Sequence, residues 1–194
     1  MNFPFGKEIV LENSSALLRP LQISVTKNLL QVAAEDETIF QFSPIPIFSE
    51  ELMKSYLEKA IEQRICKVRY YFSIFDKKKN AYAGSTAFLN ISNVDSRIEI
   101  GSTWLGKGFR GTGLNRNCKY LLLSFAFGEL GAERVELKAD ERNTASRKAI
   151  EKIGGRFEGI LRSHTVMNDG FRRNIVCYSI LKEEWNEMKD HFLK

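Results

Sequence analysis

Gly106, Gly108, Gly111 and Gly113 stand in one short stretch, Trp104-Leu-Gly-Lys-Gly-Phe-Arg-Gly-Thr-Gly-Leu-Asn, with Lys107 and Arg110 among them and Arg116 just beyond. Residues without a Cβ let the backbone take positive φ and approach a ligand closely. The pattern that follows is helical, and the first turn of a helix offers unpaired amides and the positive end of its dipole. Amides and mobile cations gathered at one turn suit a phosphate or pyrophosphate. No Gly-Lys-Ser/Thr ending follows, which argues against the Walker pattern. Gly106, Gly108 and Gly111 match the Gly-x-Gly-x-x-Gly spacing, but Gly113 and Asn115 prolong the turn and three predicted strands precede it, which argues against a dinucleotide unit.

The elements that must hold this turn follow from periodicity. Residues 1–15 read as an arm with a short strand at 8–11, and 16–21 as a strand ended by Arg19-Pro20. Val25, Leu29 and Val32 give helical spacing over 24–34. Segment 40–48 contains Pro44 and Pro46, so it is neither a regular helix nor a central strand. Its apolar side chains either pack on the core or line a substrate entrance. Ser49 caps a helix running to about Gln63. Strands at 70–75, 81–91 and 97–105, joined by polar turns, make an antiparallel meander. Beyond the glycine turn, Leu114, Cys118, Leu121, Leu122 and Phe125 form one apolar stripe, and Gly131 ends that helix. Residues 134–140 alternate as a half-buried strand. Asn143 caps a helix whose buried face is Ala145, Ala149, Ile150 and Ile153. Asn168-Asp169-Gly170 joins strands at about 156–167 and 173–181 as a hairpin. A polar tail, 182–194, is helical to about Phe192. The whole of 1–194 reads as a single domain.

Hydrophobic residues at 43% and charged residues at 27% supply one ordinary core. No apolar run approaches the roughly 20 residues of a membrane span, and the N-terminus carries no charged-then-apolar leader, so a cytoplasmic location is expected. Cys66, Cys118 and Cys177 are widely spaced and odd in number, against a disulfide framework and against a zinc site. Cys118 and Cys177 are expected as buried free thiols, and no metal is expected. The net charge of +5 is scattered, and Lys77-Lys78-Lys79 reads as a solvated hairpin turn. With no basic stripe interleaved with aromatics, nucleic acid is a poor partner; a small polyanionic cofactor suits the surface better.

The segment Trp104-Leu-Gly-x-x-Phe-Arg-Gly-Thr-Gly-Leu-Asn, followed by Glu133-Arg-Val-Glu-Leu-Lys-Ala-Asp-x-Arg-Asn-Thr-x-Ser-Arg-x-Ala-Ile-Glu-Lys-Ile-Gly, resembles the GNAT N-acetyltransferases. Within them it is most similar to the RimJ/RimL-type ribosomal-protein N-acetyltransferase branch, as are the Asp169-Gly170 hairpin and Tyr178-Ser-Ile-Leu. The resemblance covers about Ala16 to Trp185. It implies an α+β (mixed α/β) fold: a central, largely antiparallel, splayed mixed sheet of about seven strands with four or five helices. It implies acetyl-CoA as co-substrate, its pyrophosphate on the amides of Arg110, Gly111, Thr112, Gly113, Leu114 and Asn115. The pantetheine would lie between strands 97–105 and 134–140, pairing with backbone at Thr103, Trp104 and Leu105 like an added strand. Arg110 or Lys107 would supply charge. Asn143 matches the asparagine that contacts the cofactor arm near the thioester, and it also serves as a plain helix cap. The tyrosine that many members carry seven positions later is Ile150 here. Ser146 matches the branch's serine near the thiolate, or is only an N-terminal helix residue.

Acetyl transfer to nitrogen needs a neutral amine, a stabilised oxyanion and a proton for the departing thiolate. An α-amine has a pKa of about 8, roughly two units below a lysine side chain, so it needs little base assistance. Glu99 matches the position where many family members place a carboxylate base; alternatively it is a surface glutamate paired with an arginine. A backbone amide at Trp104 or Leu105 would hold the oxyanion. Tyr178 is a second candidate acid, or a core aromatic with its hydroxyl satisfied. Arg162, His164, Arg172 and Arg173 either meet an acceptor carboxylate or are exposed hairpin charges. The reading is an acetyl-CoA-dependent N-acetyltransferase acting by direct attack in a ternary complex, with a protein N-terminal α-amine as acceptor. The alternatives are a small-amine acetyltransferase and a non-catalytic acyl-CoA-binding module. A monomer or a homodimer through the last strands is compatible with the resemblance.

Overall fold

The computed structural model describes residues 1–44, 47 and 49–192, and its organising element is one mixed sheet. The strands are β1 (Leu11–Glu12), β2 (Ala16–Pro20), β3 (Tyr70–Asp76), β4 (Ala81–Ser92), β5 (Arg97–Leu105), β6 (Arg134–Asp140), β7 (Arg156–Val166) and β8 (Arg172–Leu181). They lie in the order β1-β2-β3-β4-β5-β6-β8-β7. The sheet therefore has eight strands rather than about seven. The arm's strand falls at Leu11–Glu12 instead of 8–11, because Asn13 builds the turn into β2. Its Oδ1 accepts from the amides of Ser15 and Ala16, both at 2.9 Å, which sets Leu11 opposite Leu18.

Every neighbouring pair is antiparallel except β5 and β6. Those two pair only where Arg97, Ile98 and Glu99 face Arg134, Val135 and Glu136. Beyond that vertex β5 continues to Leu105 and β6 to Asp140 with no ladder between them. The reason lies in β5. Ser85 faces Trp104 and Ala87 faces Gly101, so β5 carries one residue more than β4 in that interval. Ser102 takes φ 49 there. Such a bulge bends and twists its strand, and here it turns β5 away from β6.

Among the described residues five α-helices flank the sheet: α1 (Thr26–Ala34), α2 (Glu50–Ile65), α3 (Leu114–Ser124), α4 (Thr144–Lys152) and α5 (Lys182–Met188). Ser49 caps α2, its Oγ accepting from the Leu52 amide at 3.2 Å, and Met53, Leu57 and Ala60 are buried along one face. The parallel β5–β6 pair needs a crossover, which α3 supplies. Its apolar stripe is buried, and it widens into a π-turn, Phe125–Glu129, before Gly131 at φ +68. The rings of Phe3, Phe72 and Phe125 surround Phe88 on the α3 face of the sheet. Tyr56 of α2 reaches the opposite face, meeting Tyr71 and Ser85.

Four expectations change. Ala145 is exposed: it lies in the first turn of α4, and only the later residues Ile150 and Ile153 reach the core. Cys177 is half-exposed, because strand alternation turns it to the polar face of β8. The tail is less polar than its composition suggests, since Trp185 and Phe192 are buried against Tyr120. Segment 40–48 is not loop throughout: Phe40 closes a 3-10 turn, Glu37–Phe40, and both Phe40 and Ile47 are buried. Ile45, Pro46 and Phe48 lie outside the described residues. Among those described, no helix is long and apolar enough to cross a membrane.

Candidate active site

The glycine turn forms where β5 gives way to α3. Gly111 and Gly113 take φ +72 and +85, and a Cβ at either would meet nothing within 4 Å. Glycine is needed there for conformation, not for space. Gly106 is the opposite case: a Cβ would lie 2.4 Å from Val32 Cγ1 of α1. The first helical bond of α3 runs from the Asn117 amide to Gly113 O at 3.1 Å. The Leu114 amide turns to Thr112 Oγ1 at 3.4 Å, which leaves the amides of Asn115 and Arg116 ahead of the ladder and open. No side chain caps this end.

The cations are distributed differently from expectation. Arg110 Nε donates to Leu105 O at 3.0 Å, and its terminal nitrogen lies 3.5 Å from Asp36 Oδ2. Its guanidinium thus ties the glycine turn to the loop after α1 while remaining half-exposed. The Arg110 amide is bonded to Lys107 O at 3.3 Å, so it is less available than those after Gly111. Lys79, from the β3–β4 turn, donates to Gly108 O at 2.7 Å and covers the Phe109 ring. The solvated-turn reading holds no clue to that contact.

Glu99 occupies the vertex where β5 and β6 part. It is 5% exposed, and its Oε2 accepts from Lys138 Nζ and Asn90 Nδ2, each at 2.7 Å. Lys138 is also 3.5 Å from Glu136. Burial alone would pull the Lys138 amine down, but the bond and charge of Glu99, with Glu136, hold it above the usual lysine value. The carboxylate is paired, with a lysine rather than an arginine, and it is internal rather than on the strand surface.

Asn143 caps α4, its Oδ1 accepting from the Ser146 amide at 3.0 Å. Ser146 is half-buried, and its hydroxyl has no protein partner among the described residues. Tyr178 is 1% exposed. Its hydroxyl accepts from Arg147 Nε at 3.2 Å and donates to Glu151 Oε1 at 3.0 Å. Ile150 is buried. Ser146 and Tyr178 therefore both meet α4, and no hydrogen bond joins either to Glu99 among the described residues.

The flanks of the opening bring in further residues. Trp104 is buried against Phe40, with ring centroids 5.4 Å apart. At the far end of β6, Asp140 binds Arg142 through both oxygens, at 3.0 and 2.8 Å. Arg142 covers the Phe171 ring at 4.2 Å, and Arg173 donates to Phe42 O. These contacts bring segment 37–43 against the β7–β8 hairpin. Between them lies a cavity of about 240 Å³ bordered by Glu37, Phe40, Gln41, Met167, Asn168 and Asp169. A second cavity, of about 430 Å³, is lined by Phe5, Leu21, Ala60 and Ile65 among others. Neither cavity is lined by the glycine turn or β5, but Phe40, on the wall of the first, packs against Trp104 of β5. Of the hairpin charges, Arg162 and His164 are exposed and Arg172 binds Ser163.

Lys138, Asn90 and Lys119 were not legible as site residues. Lys119, on α3, is buried and donates to Thr103 Oγ1 at 2.8 Å. Only the alternation along 134–140 hinted at Lys138, by placing it on the same face as Glu136; its partner depends on strand pairing. Among the described residues no group of His, Cys, Asp and Glu is arranged to hold a metal ion.

Comparison with known proteins bears on this geometry. Residues 16–156 match the family model described as an acetyltransferase (GNAT) domain. The "Putative ribosomal N-acetyltransferase YdaF" of Bacillus subtilis is 36% identical over 106 residues, 55% of this chain and 57% of that protein. The chain thus spans a little over half the length of that relative. The "Probable N-acetyltransferase YjcK" of the same organism is 25% identical over 163 residues, 82% of this chain and 90% of that one. The crystal structure of a GCN5-related N-acetyltransferase from Brucella melitensis superposes with a TM-score of 0.89 at 27% identity, covering 96% of this chain and 84% of that one. The family model matches well over half of the chain, from β2 through the glycine turn and α4, and the chain belongs to the GNAT family.

Proposed function

We propose that the protein is a single-domain, cytoplasmic enzyme that transfers the acetyl group of acetyl-CoA to a protein N-terminal α-amine. The observation that carries the donor half of this reading is the parting of β5 from β6 after Glu99, on a strand that runs on from there into the glycine turn and its open amides. The fit to acetyl-CoA rests on chemistry. A pyrophosphate wants amide donors at a helix start, and Gly111 to Asn115 offer them with two residues at positive φ. A pantetheine amide wants a strand edge, and Thr103 to Leu105 present one with no ladder to β6. When bound there, acetyl-CoA supplies the thioester.

The chain's own residues then have distinct tasks. Glu99 accepts the proton of the incoming ammonium, directly or through water, and Lys138 and Asn90 hold its carboxylate in place. Backbone amides at Trp104 or Leu105 face the developing oxyanion. Asn143 orients the first turn of α4, and Ser146 Oγ relays to the leaving sulfur the proton that the attacking nitrogen gives up. The acceptor enters between segment 37–43 and the β7–β8 hairpin. The name of the Bacillus subtilis relative supports a ribosomal-protein N-terminus as acceptor. A second reading, a small cationic amine, draws support from Glu37 and Asp169 at the walls of the 240 Å³ cavity.

Calorimetry with acetyl-CoA, followed by thiol release on a panel of N-terminal peptides, polyamines and aminoglycosides, tests these readings. Turnover on peptides supports the first and turnover on one small amine the second. Binding without turnover leaves a non-catalytic acyl-CoA module. Absence of binding overturns the reading.

A further inference from the structure

Lys119 is costly where it stands. It is 6% exposed, on a helix otherwise buried by Leu114, Cys118, Leu121 and Leu122. Among the described residues it makes no ion pair, and its one hydrogen-bond partner is the hydroxyl of Thr103. A buried amine without an anion is destabilising, and an apolar side chain of similar size would suit the surroundings better. The adjacent Cys118 thiol is itself buried and lies well above its ordinary range, so it supplies no counter-charge.

The contact gives the lysine a grip on β5 at one particular place. Thr103 follows Ser102, the extra residue of the bulge. By that point β5 has left β6 and is held in the sheet by β4 alone. The Thr103 hydroxyl lies 2.7 Å from that of Thr86 on β4, itself fully buried. Thr86, Thr103 and Lys119 thus tie β4, β5 and α3 together beside the bulge. Lys119 is one turn along α3 from Asn115, on the same helical face. Among the described residues this is the one side-chain hydrogen bond between the helix that carries the open amides and the strand that carries the free edge.

We propose that Lys119 is a positioning residue for the donor site, a strut that sets the spacing between the amides of α3 and the free edge of β5 so that one acyl-CoA molecule spans both. The proposal rests on the acetyl-CoA reading above. A ligand with a phosphate end and an amide-bearing arm gains from both surfaces only when their separation is fixed.

The test starts with calorimetry of acetyl-CoA on the wild-type chain, then on Lys119→Met, Thr103→Val and the double variant. Absence of binding to the wild type removes the acetyl-CoA reading itself, whatever the variants do. With wild-type binding in hand, each single variant is expected to weaken Kd and raise KM for acetyl-CoA about ten-fold. The double variant is expected to lose no more than either single, since all three break one strut. Lys119→Gln, which keeps a donor, recovers part of the affinity. The melting temperature of Lys119→Met stays level or rises, which a merely structural role would not combine with weaker binding. Wild-type affinity in folded Lys119→Met or in Thr103→Val overturns the proposal, as does a double variant whose losses multiply. If Lys119→Met fails to fold, Thr103→Val decides alone by the same criterion.

Discussion

Glu99 Oε2, on the last β5 residue paired with β6, and Lys138 Nζ, two residues past its partner Glu136, lie 2.7 Å apart. The pair holds the two strands together at the vertex from which they part, and it fixes the position of the carboxylate assigned to deprotonate the amine. Glu99→Gln keeps the shape and removes the base, so kcat/KM is expected to fall about a hundred-fold or more, with acetyl-CoA affinity unchanged. Lys138→Met leaves a buried carboxylate without its cation and is expected to cost about 2 kcal/mol of stability. The Lys138 amine sits above the usual lysine value in the fold. Its contribution is therefore fully present below about pH 10 and lost as the pH rises through the raised value. Chemical denaturation of wild type and variant from pH 7 to 11 shows whether the gap closes at the alkaline end.

Gly113→Val tests the glycine turn without introducing a clash, because a Cβ there meets nothing within 4 Å. A β-branched residue is a strong outlier at φ +85, so the backbone relaxes and the amides of α3 lose their common direction. The fold is expected to lose about 1–2 kcal/mol and acetyl-CoA affinity about ten-fold or more. Gly106→Ala is the contrasting control. Its cost comes from collision with Val32, and it is expected to lower the melting temperature with the turn's own φ values unaltered.

The turn, the strand pairs and the caps were open to reading because each depends on residues close in sequence. Ser49 and Asn143 cap the helices that their positions announce, and 97–105 and 134–140 have the expected bounds. What escaped depends on three-dimensional pairing. Lys119 is one charged residue beside an apolar stripe, and nothing local says that Thr103 waits across from it. Lys138 and Glu99 are distant in sequence and meet only because β5 and β6 are parallel and in register at that point. Lys79 looked like a solvated turn because its partner is a main-chain carbonyl, Gly108 O, which carries no side-chain signature.

Lys119 also predicts a pH signature of stability. Burial lowers its amine to about 8, against about 10.4 in an unfolded chain. A depressed lysine means that the unfolded chain binds the extra proton between those values, so wild-type stability rises with pH from about 8 to about 10.4. The full effect is on the order of 3 kcal/mol. Lys119→Met is expected to be more stable than wild type at pH 7 and to lose that rise. A flat wild-type profile over this window removes the buried-charge account.

Asp140 gives the opposite sign. Its side chain is 1% exposed. Burial by itself would raise the carboxyl, but the Arg142 bonds and the Arg173 charge outweigh it and hold the group below the usual aspartate value. Its contribution is present above about pH 3.9, the unfolded value, and lost as the pH falls through the depressed one. Asp140→Asn is expected to cost about 2 kcal/mol at pH 7 and to loosen the hairpin from segment 37–43. A rise in KM for the amine larger than that for acetyl-CoA would place the damage on the acceptor side. Equal changes in both would mean that Asp140 supports the sheet as a whole.

Ser146 and Tyr178 compete for the role of acid, and their surroundings separate them. The Tyr178 hydroxyl is committed at both ends, accepting from Arg147 and donating to Glu151. To release a proton toward a sulfur it must first break the bond to Glu151 Oε1. Ser146 has its amide engaged by Asn143, while its hydroxyl has no protein partner among the described residues. Tyr178→Phe is therefore expected to lower stability by about 1 kcal/mol with kcat within about two-fold of wild type. Ser146→Ala is expected to lower kcat about ten-fold or more with Kd for acetyl-CoA unchanged. Donors whose leaving thiol is more acidic relax the need for a proton, so an activated thioester donor should restore much of the Ser146→Ala rate. If the activated donor rescues Tyr178→Phe instead, the proton comes from the tyrosine, and its bond to Glu151 is broken during turnover.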